Sequence, residues 1–266
     1  MLRKMSLDIN MGYNISTTQD TSFYEHWYSP HTDFKRIEPN VIKLPDYYSF
    51  DLEKVRNQVN SIQEDHGYKP FEVAKNKRRL TYQGIGLTAK PGAEDPLYDA
   101  LNLYGKDGKL SITEAFETMG NANDKKAVMN LAEKDFSEPT EIFDGYIKEV
   151  LSKFKSPLTK TRLLNLKRKG VLAPHVDFPY YEQIRVHACI FESPDAWWEV
   201  EGERFKIPAD GNFYWFDTGK YHAVWNDGAD DRVVLSVNLS VYQDRNGKPT
   251  YTAENKFEDL VEKCLI

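Results

Sequence analysis

From Thr161 onward the chain breaks into short segments of strand character, and this constrains its architecture more than any other feature. The segments are 162–166, 171–176, 183–191, 197–200, 204–207, 212–216, 221–225 and 232–242. Turn-forming residues separate most of them: Lys169-Gly170, Glu201-Gly202, Asp210-Gly211 and Asn226-Asp227-Gly228. Strands this short do not bury an apolar face singly, so they close together into a sandwich or barrel, with a jelly roll as the natural arrangement.

Before Pro157 the period is different. After Asp51, the residues Leu52, Val55, Val59 and Ile62 recur at three- and four-residue steps and share one helical face, which His66 and Gly67 then close. A strand is expected over 78–88, ending near Gly84 and Gly86. A second helix is expected from a Thr140 cap, with the stripe Ile142, Phe143, Tyr146, Ile147, Val150, Leu151 and Phe154. Helices first and strands second predict an α+β fold: a double-stranded β-helix (jelly roll, cupin-like) buttressed by N-terminal helices. Residues 1–45 read as an irregular arm packed on the surface. Residues 46–266 read as a single domain, with helical support over 46–157, a jelly-roll core over 160–242 and a C-terminal segment over 243–266.

The composition excludes several function classes. With 35 Lys and Arg against 41 Asp and Glu, the formal charge of −6 gives no global attraction for nucleic acid or an anionic membrane. The triplet Lys167-Arg168-Lys169 reads as a solvated turn. Cys189 and Cys264 are too few and too far apart for a disulfide scaffold, which fits a reducing compartment. Arg3 and Lys4 have no apolar run behind them, so no signal peptide is expected, and no apolar stretch spans a bilayer. The expectation is a cytoplasmic protein without nucleic-acid or membrane partners, its oligomeric state open. The run Lys106–Glu114 imitates the end of a calcium-binding loop, but Leu103 and Gly105 fall where oxygen ligands are required. It reads instead as a turn followed by a helix, with Ser111 and Glu114 as a capping box.

The chemistry sits in the strand-rich half. His175 is followed two positions later by Asp177, and residues two apart on a strand face the same way. His222, at the start of another segment, can complete a set of two imidazoles and one carboxylate. Such a facial triad leaves open positions on a metal, as non-haem iron(II) oxygenases require and a closed zinc site does not provide. Arg232, on the next segment, can place a guanidinium fork in the same cavity, suited to the distal carboxylate of a dicarboxylic acid; a surface ion pair with Asp230 or Asp231 is its plainer alternative. His187 shares a face with Arg185, which favours an anion-binding role over that of a satisfied core histidine. Asp217 reads as a turn residue, and Trp215 and Trp225 as packing.

The stretch Phe216-Asp217-Thr218-Gly219-Lys220-Tyr221-His222-Ala223-Val224-Trp225-Asn226-Asp227, followed by Arg232, resembles the signature of the aspartyl/asparaginyl β-hydroxylase family. Arg185-Val186-His187 is similar to that family's R-x-H strand. The resemblance covers about residues 160–242. It implies that His175 and His222 bind iron, that Arg232 pairs with the 2-oxoglutarate carboxylate, and that Arg185 and His187 are auxiliary co-substrate contacts. The family's namesake vertebrate member lacks the metal-binding carboxylate, whereas Asp177 here resembles the complete triad of bacterial relatives, some acting on free proline. Related halogenases leave that position empty for chloride, so Asp177 argues for hydroxylation. The implied cofactor and co-substrates are Fe(II), 2-oxoglutarate and O2, with succinate and carbon dioxide released. The implied substrate is an amino acid or a peptide or protein side chain. The competing expectation is a non-catalytic, metal-binding jelly-roll module. Tyr180, Tyr181, Arg78 and the aromatic arm are candidates to line a substrate pocket.

Overall fold

In the computed structural model, the residues described are 41–74, 77–102, 133–175, 177 and 183–240. The expectations for the N-terminal arm up to residue 40, the C-terminal segment, Tyr180, Tyr181, the Arg78 side chain and the Ser111–Glu114 capping box lie outside them. In chain order the elements are β1 (Ile42–Lys43), α1 (Leu52–Asp65), β2 (Lys69–Ala74), β3 (Lys77–Gly86), β4 (Thr88–Ala89), α2 (Pro96–Asp99), β5 (Glu138–Pro139) and α3 (Gly145–Leu151). There follow β6 (Leu158–Leu166), β7 (Val171–His175), β8 (Gln183–Phe191), β9 (Ala196–Val200), β10 (Glu203–Phe205), β11 (Tyr214–Trp215), β12 (His222–Asn226) and β13 (Arg232–Ser240).

The strands form a seven-stranded sheet, ordered β1-β11-β8-β13-β6-β3-β2, and a four-stranded sheet, ordered β10-β9-β12-β7, with β4 and β5 as a separate pair. His187 of the large sheet lies 4.8 Å from Trp198 of the small one, ring centre to ring centre, so the two sheets face each other as a jelly roll. The large sheet is covered on both faces, and its central strands β8 and β13 show why. On one face Ile184, Val186, Ala188, Val233, Leu235, Val237 and Leu239 pack with Val55, Val59, Ile62, Ile147, Val150 and Leu151 of the helices. On the other, Cys189 and Val234 join Leu164, Leu166, Trp198 and Phe216 between the sheets. The period-two alternation thus persists inside strands whose residues are almost all buried.

Asp51 caps α1 by accepting the amide hydrogens of Glu53 and Lys54. The second helix starts later than the sequence pattern predicts. The Thr140 hydroxyl donates to the Gly86 carbonyl, 2.9 Å, so it is tied to the sheet rather than capping a helix. The helix begins only at Gly145, where Gln58 of α1 accepts the Ile147 amide hydrogen at 2.8 Å and joins the two helices. No helix among the described residues is long and apolar enough to cross a membrane.

Candidate metal and co-substrate site

The position of the histidines follows from strand register. β7 and β12 are antiparallel, and His175 lies directly opposite His222. Their rings stand 4.3 Å apart, centre to centre. Asp177, just past the end of β7, is anchored by its amide hydrogen to the Thr218 carbonyl, 2.9 Å. Its Oδ1 lies 3.9 Å from His175 Nε2 and its Oδ2 lies 3.6 Å from His222 Nε2. One nitrogen or oxygen from each of the three residues falls within 4.8 Å of the others, a set able to hold a metal ion.

Both imidazoles are oriented by the backbone. His175 Nδ1 is 2.8 Å from the Ala173 carbonyl, and His222 Nδ1 is 2.9 Å from the Lys220 carbonyl. A carbonyl only accepts, so each Nδ1 carries the hydrogen and each Nε2 presents its lone pair toward Asp177. Burial lowers the pKa of His222 despite the attraction of Asp177, which keeps the ring a neutral ligand. Burial also pushes Asp177 up. The Arg185 guanidinium, and after it the two imidazoles, outweigh burial and hold the carboxyl well below the usual range.

The wall beyond this cluster is unusually cationic for an interior. Arg232, far from pairing with Asp230 or Asp231 at the surface, is buried, and its guanidinium stands 4.6 Å from the Trp198 ring centre. Asp231 is taken instead by Lys167 and by the Arg168 amide. Arg232 Nε and Nη1, both His187 nitrogens and Ser236 Oγ are buried without a hydrogen-bond partner among the described residues. Ser236 is the cross-strand neighbour of His187, so these groups share one pocket. Burial first, then Arg185 and Arg232, drive the His187 pKa well below its ordinary value, leaving a neutral ring stacked on Phe216. Unsatisfied buried donors cost about 1–3 kcal/mol each, more when charged, unless a ligand completes them. A dicarboxylate such as 2-oxoglutarate fits this set: its distal carboxylate suits the Arg232 fork, and the triad leaves coordination positions open for its keto-acid end.

Arg185, expected as an auxiliary co-substrate contact, has its donors engaged by protein groups. Its Nε donates to Asn238 Oδ1 at 2.8 Å, its Nη2 to Glu133 Oε2 at 2.7 Å, and its Nη1 to Asp177 Oδ2. The structure therefore brings His175, Asp177 and His222 together, sets Arg232 and His187 nearby with open polar atoms, and commits Arg185 to two carboxylates. Sequence reasoning missed Glu133, Lys160, Arg162 and Asn238, all buried at this site. Lys160 Nζ donates to Glu133 Oε1 at 3.0 Å, and Asn238 Nδ2 to Glu133 Oε2 at 2.9 Å. Only the alternation along β6 and β13 hinted at them, since it turns Arg162 and Asn238 to the face that carries Arg232.

The fold is a jelly roll, and its site gathers side chains able to hold a metal ion. The profile of the aspartyl/asparaginyl beta-hydroxylase family matches residues 100–240, more than half of the sequence, and the chain belongs to that family. It is accordingly a 2-oxoglutarate-dependent oxygenase of the hydroxylase type, using Fe(II), 2-oxoglutarate and O2, rather than a non-catalytic module. No curated protein matches the chain. Among solved structures it is similar to an oxidoreductase of the 2OG-Fe(II) oxygenase family from Burkholderia pseudomallei, with 14% identity and a TM-score of 0.41, covering 86% of this chain and 94% of that one. It is also similar to a Trichoplax adhaerens prolyl hydroxylase in complex with a hypoxia inducible factor peptide fragment (10% identity, TM-score 0.41, 84% and 94% covered). A third is a Pseudomonas putida prolyl-4-hydroxylase (9%, 0.38, 82% and 98%).

Proposed function

We propose that the protein hydroxylates an unactivated C–H bond of an amino acid or of an aspartyl/asparaginyl-type residue, releasing succinate and carbon dioxide, with His175, Asp177 and His222 as the iron ligands. The buried Arg232, whose Nε and Nη1 have no hydrogen-bond partner among the described residues, together with two imidazoles and a carboxylate within 4.8 Å of one another, carries this reading. Iron, when bound, would let dioxygen oxidise both partners, one oxygen atom entering the keto acid as it loses carbon dioxide to become succinate and the other entering the substrate C–H bond.

The remaining work falls to the chain. His175, Asp177 and His222 hold the cation from one side. Arg232 takes the distal carboxylate of 2-oxoglutarate, and the neutral His187 and Ser236 offer further hydrogen bonds to the co-substrate. Trp198 and Phe216 close the pocket against water, which strengthens each of these polar contacts.

The substrate is anionic on this reading. Lys160, Arg162, Arg185 and Arg232 stand against Glu133 and Asp177, so among the described residues cations exceed anions before iron and co-substrate, whose charges cancel, are added. Arg162 is buried, its Nε has no hydrogen-bond partner, and it forms no ion pair among the described residues. A substrate carboxylate would satisfy it.

The test is succinate release by the purified chain supplied with Fe(II), 2-oxoglutarate and a panel of amino acids and Asp-, Asn- or Pro-containing peptides. Turnover should respond to a subset of the panel and vanish in His175→Ala and in His222→Ala. Arg232→Ala should chiefly raise the KM for 2-oxoglutarate, by roughly 10- to 100-fold, the value of a charge-assisted hydrogen-bond pair. Unchanged kinetics in all three variants would remove the assignment.

A further inference from the structure

Glu133 is the only acidic residue in the buried class among the described residues, and it lies outside the jelly-roll strands, on the short 3-10 turn Glu133–Asp135. Both of its oxygens are nevertheless used inside the roll. Oε1 accepts from Lys160, and Oε2 accepts from Arg185 and from Asn238. Burial pushes its carboxyl up, but Arg185, Lys160 and Arg162 together bring it below the ordinary value, so it remains an anion.

The consequence for Arg185 is geometric. A planar guanidinium held by Glu133 through Nη2 and by Asn238 through Nε has its rotation fixed. The Nη1 that remains is the one that meets Asp177. Lys160 reaches Glu133 through an irregularity in the strand. Between Thr159 and Arg162, β6 carries one residue more than the facing stretch of β13, from Ser236 to Asn238. Lys160 has a φ of 41°, in the left-handed region that a lysine rarely occupies. A bulge of this kind re-aims a side chain, and its strain persists only where the surroundings enforce it.

We propose that Glu133 is a positioning residue of the metal site, acting through Arg185 on Asp177. It fixes the guanidinium against the carboxylate that faces the two imidazoles, and it neutralises the guanidinium charge that would otherwise compete with a cation for that carboxylate. This inference rests on the reading of His175, Asp177 and His222 as ligands. Partners one step removed from a metal typically alter its affinity by about 10- to 100-fold.

The experiment is a Co(II) titration of the full chain without co-substrate, followed by visible absorption, with circular dichroism confirming the fold of each variant. Glu133→Gln keeps size but loses the charge, and its single amide oxygen cannot accept from both Lys160 and the Arg185–Asn238 pair; it should weaken Co(II) binding by about 10- to 100-fold and shift the cobalt bands. Glu133→Asp, which restores the charge on a shorter arm, should recover part of the loss. A folded Glu133→Gln protein with wild-type affinity and spectrum overturns the inference. If Glu133→Gln does not fold, Asn238→Ala removes the neutral clamp shared by Glu133 and Arg185; it should weaken Co(II) binding severalfold, and wild-type binding there overturns the inference equally. His175→Ala separates the two levels. Loss of Co(II) binding in His175→Ala with none in Glu133→Gln defeats this inference alone, whereas Co(II) binding unchanged by His175→Ala defeats the ligand assignment and this inference with it.

Discussion

Arg162 and Asp217 are the side chains whose surroundings make the sharpest single-site predictions. Arg162 is a buried cation without an ion-pair partner among the described residues, its guanidinium 5.7 Å from the Phe71 ring centre. Arg162→Met conserves volume and removes a charge whose burial is costly, so thermal stability should stay level or rise. The KM for an anionic substrate should increase by roughly 10- to 100-fold while that for 2-oxoglutarate is little changed. A neutral amide analogue losing as much as the acid would defeat the anionic-substrate reading. Asp217 behaves as the turn residue the sequence indicates, its Oδ1 accepting the Gly219 amide hydrogen at 3.0 Å. Burial raises its pKa to about 6, more than Lys220 and that amide lower it. Between about pH 4 and pH 6 the folded chain therefore retains a proton that the unfolded chain has released, and the residue's contribution to stability falls as pH rises through this window. Asp217→Asn keeps the acceptor without the charge. Urea unfolding should show it gaining on the parent by on the order of 1–2 kcal/mol at pH 7, with the advantage fading near pH 4.

Strands and helices were legible to different degrees, for reasons visible in particular segments. β8 and β13 could be read nearly to their ends because the alternation of Ile184, Val186 and Ala188 with Arg185 and His187 survives burial on both faces. β2 was missed: it carries Pro70 and charged residues and lies at the edge of the large sheet, and Phe71 alone among its described side chains is buried, which leaves no periodicity to read. The start of α3 was misplaced because the Thr140 hydroxyl serves Gly86, distant in sequence, and no local pattern encodes that choice. A connection that was legible as a turn proves more demanding than its sequence implies. Gly211 has a φ of 75°, and a Cβ added there would lie 2.4 Å from the Phe50 carbonyl oxygen, while the Phe50 amide hydrogen bonds the Gly211 carbonyl. Gly211→Ala should destabilise the protein by about 2–4 kcal/mol, since backbone must separate from backbone just before α1. A melting temperature within a degree of the parent would show that this junction is pliant.

Across the whole assembly, the residues that form the site were legible in proportion to their closeness in sequence. His175 and Asp177 announce themselves by spacing, and His222 with Arg232 by a family-like stretch. Glu133, Lys160 and Asn238 meet only because three separate segments converge, and a buried ion pair formed that way leaves no local pattern. The alignment of His175 with His222 across β7 and β12 has a consequence for how the site can fail. The gap between the two imidazoles is measured out by the hydrogen-bond ladder, so the backbone acts as the ruler and the side chains merely as its marks. Slippage of either strand by one step would turn one ring outward while leaving every ligand in the gene intact. Loss-of-function changes can therefore arise in the turns at the opposite end of these strands, next to Val171 and Asn226, away from the residues that face the cation.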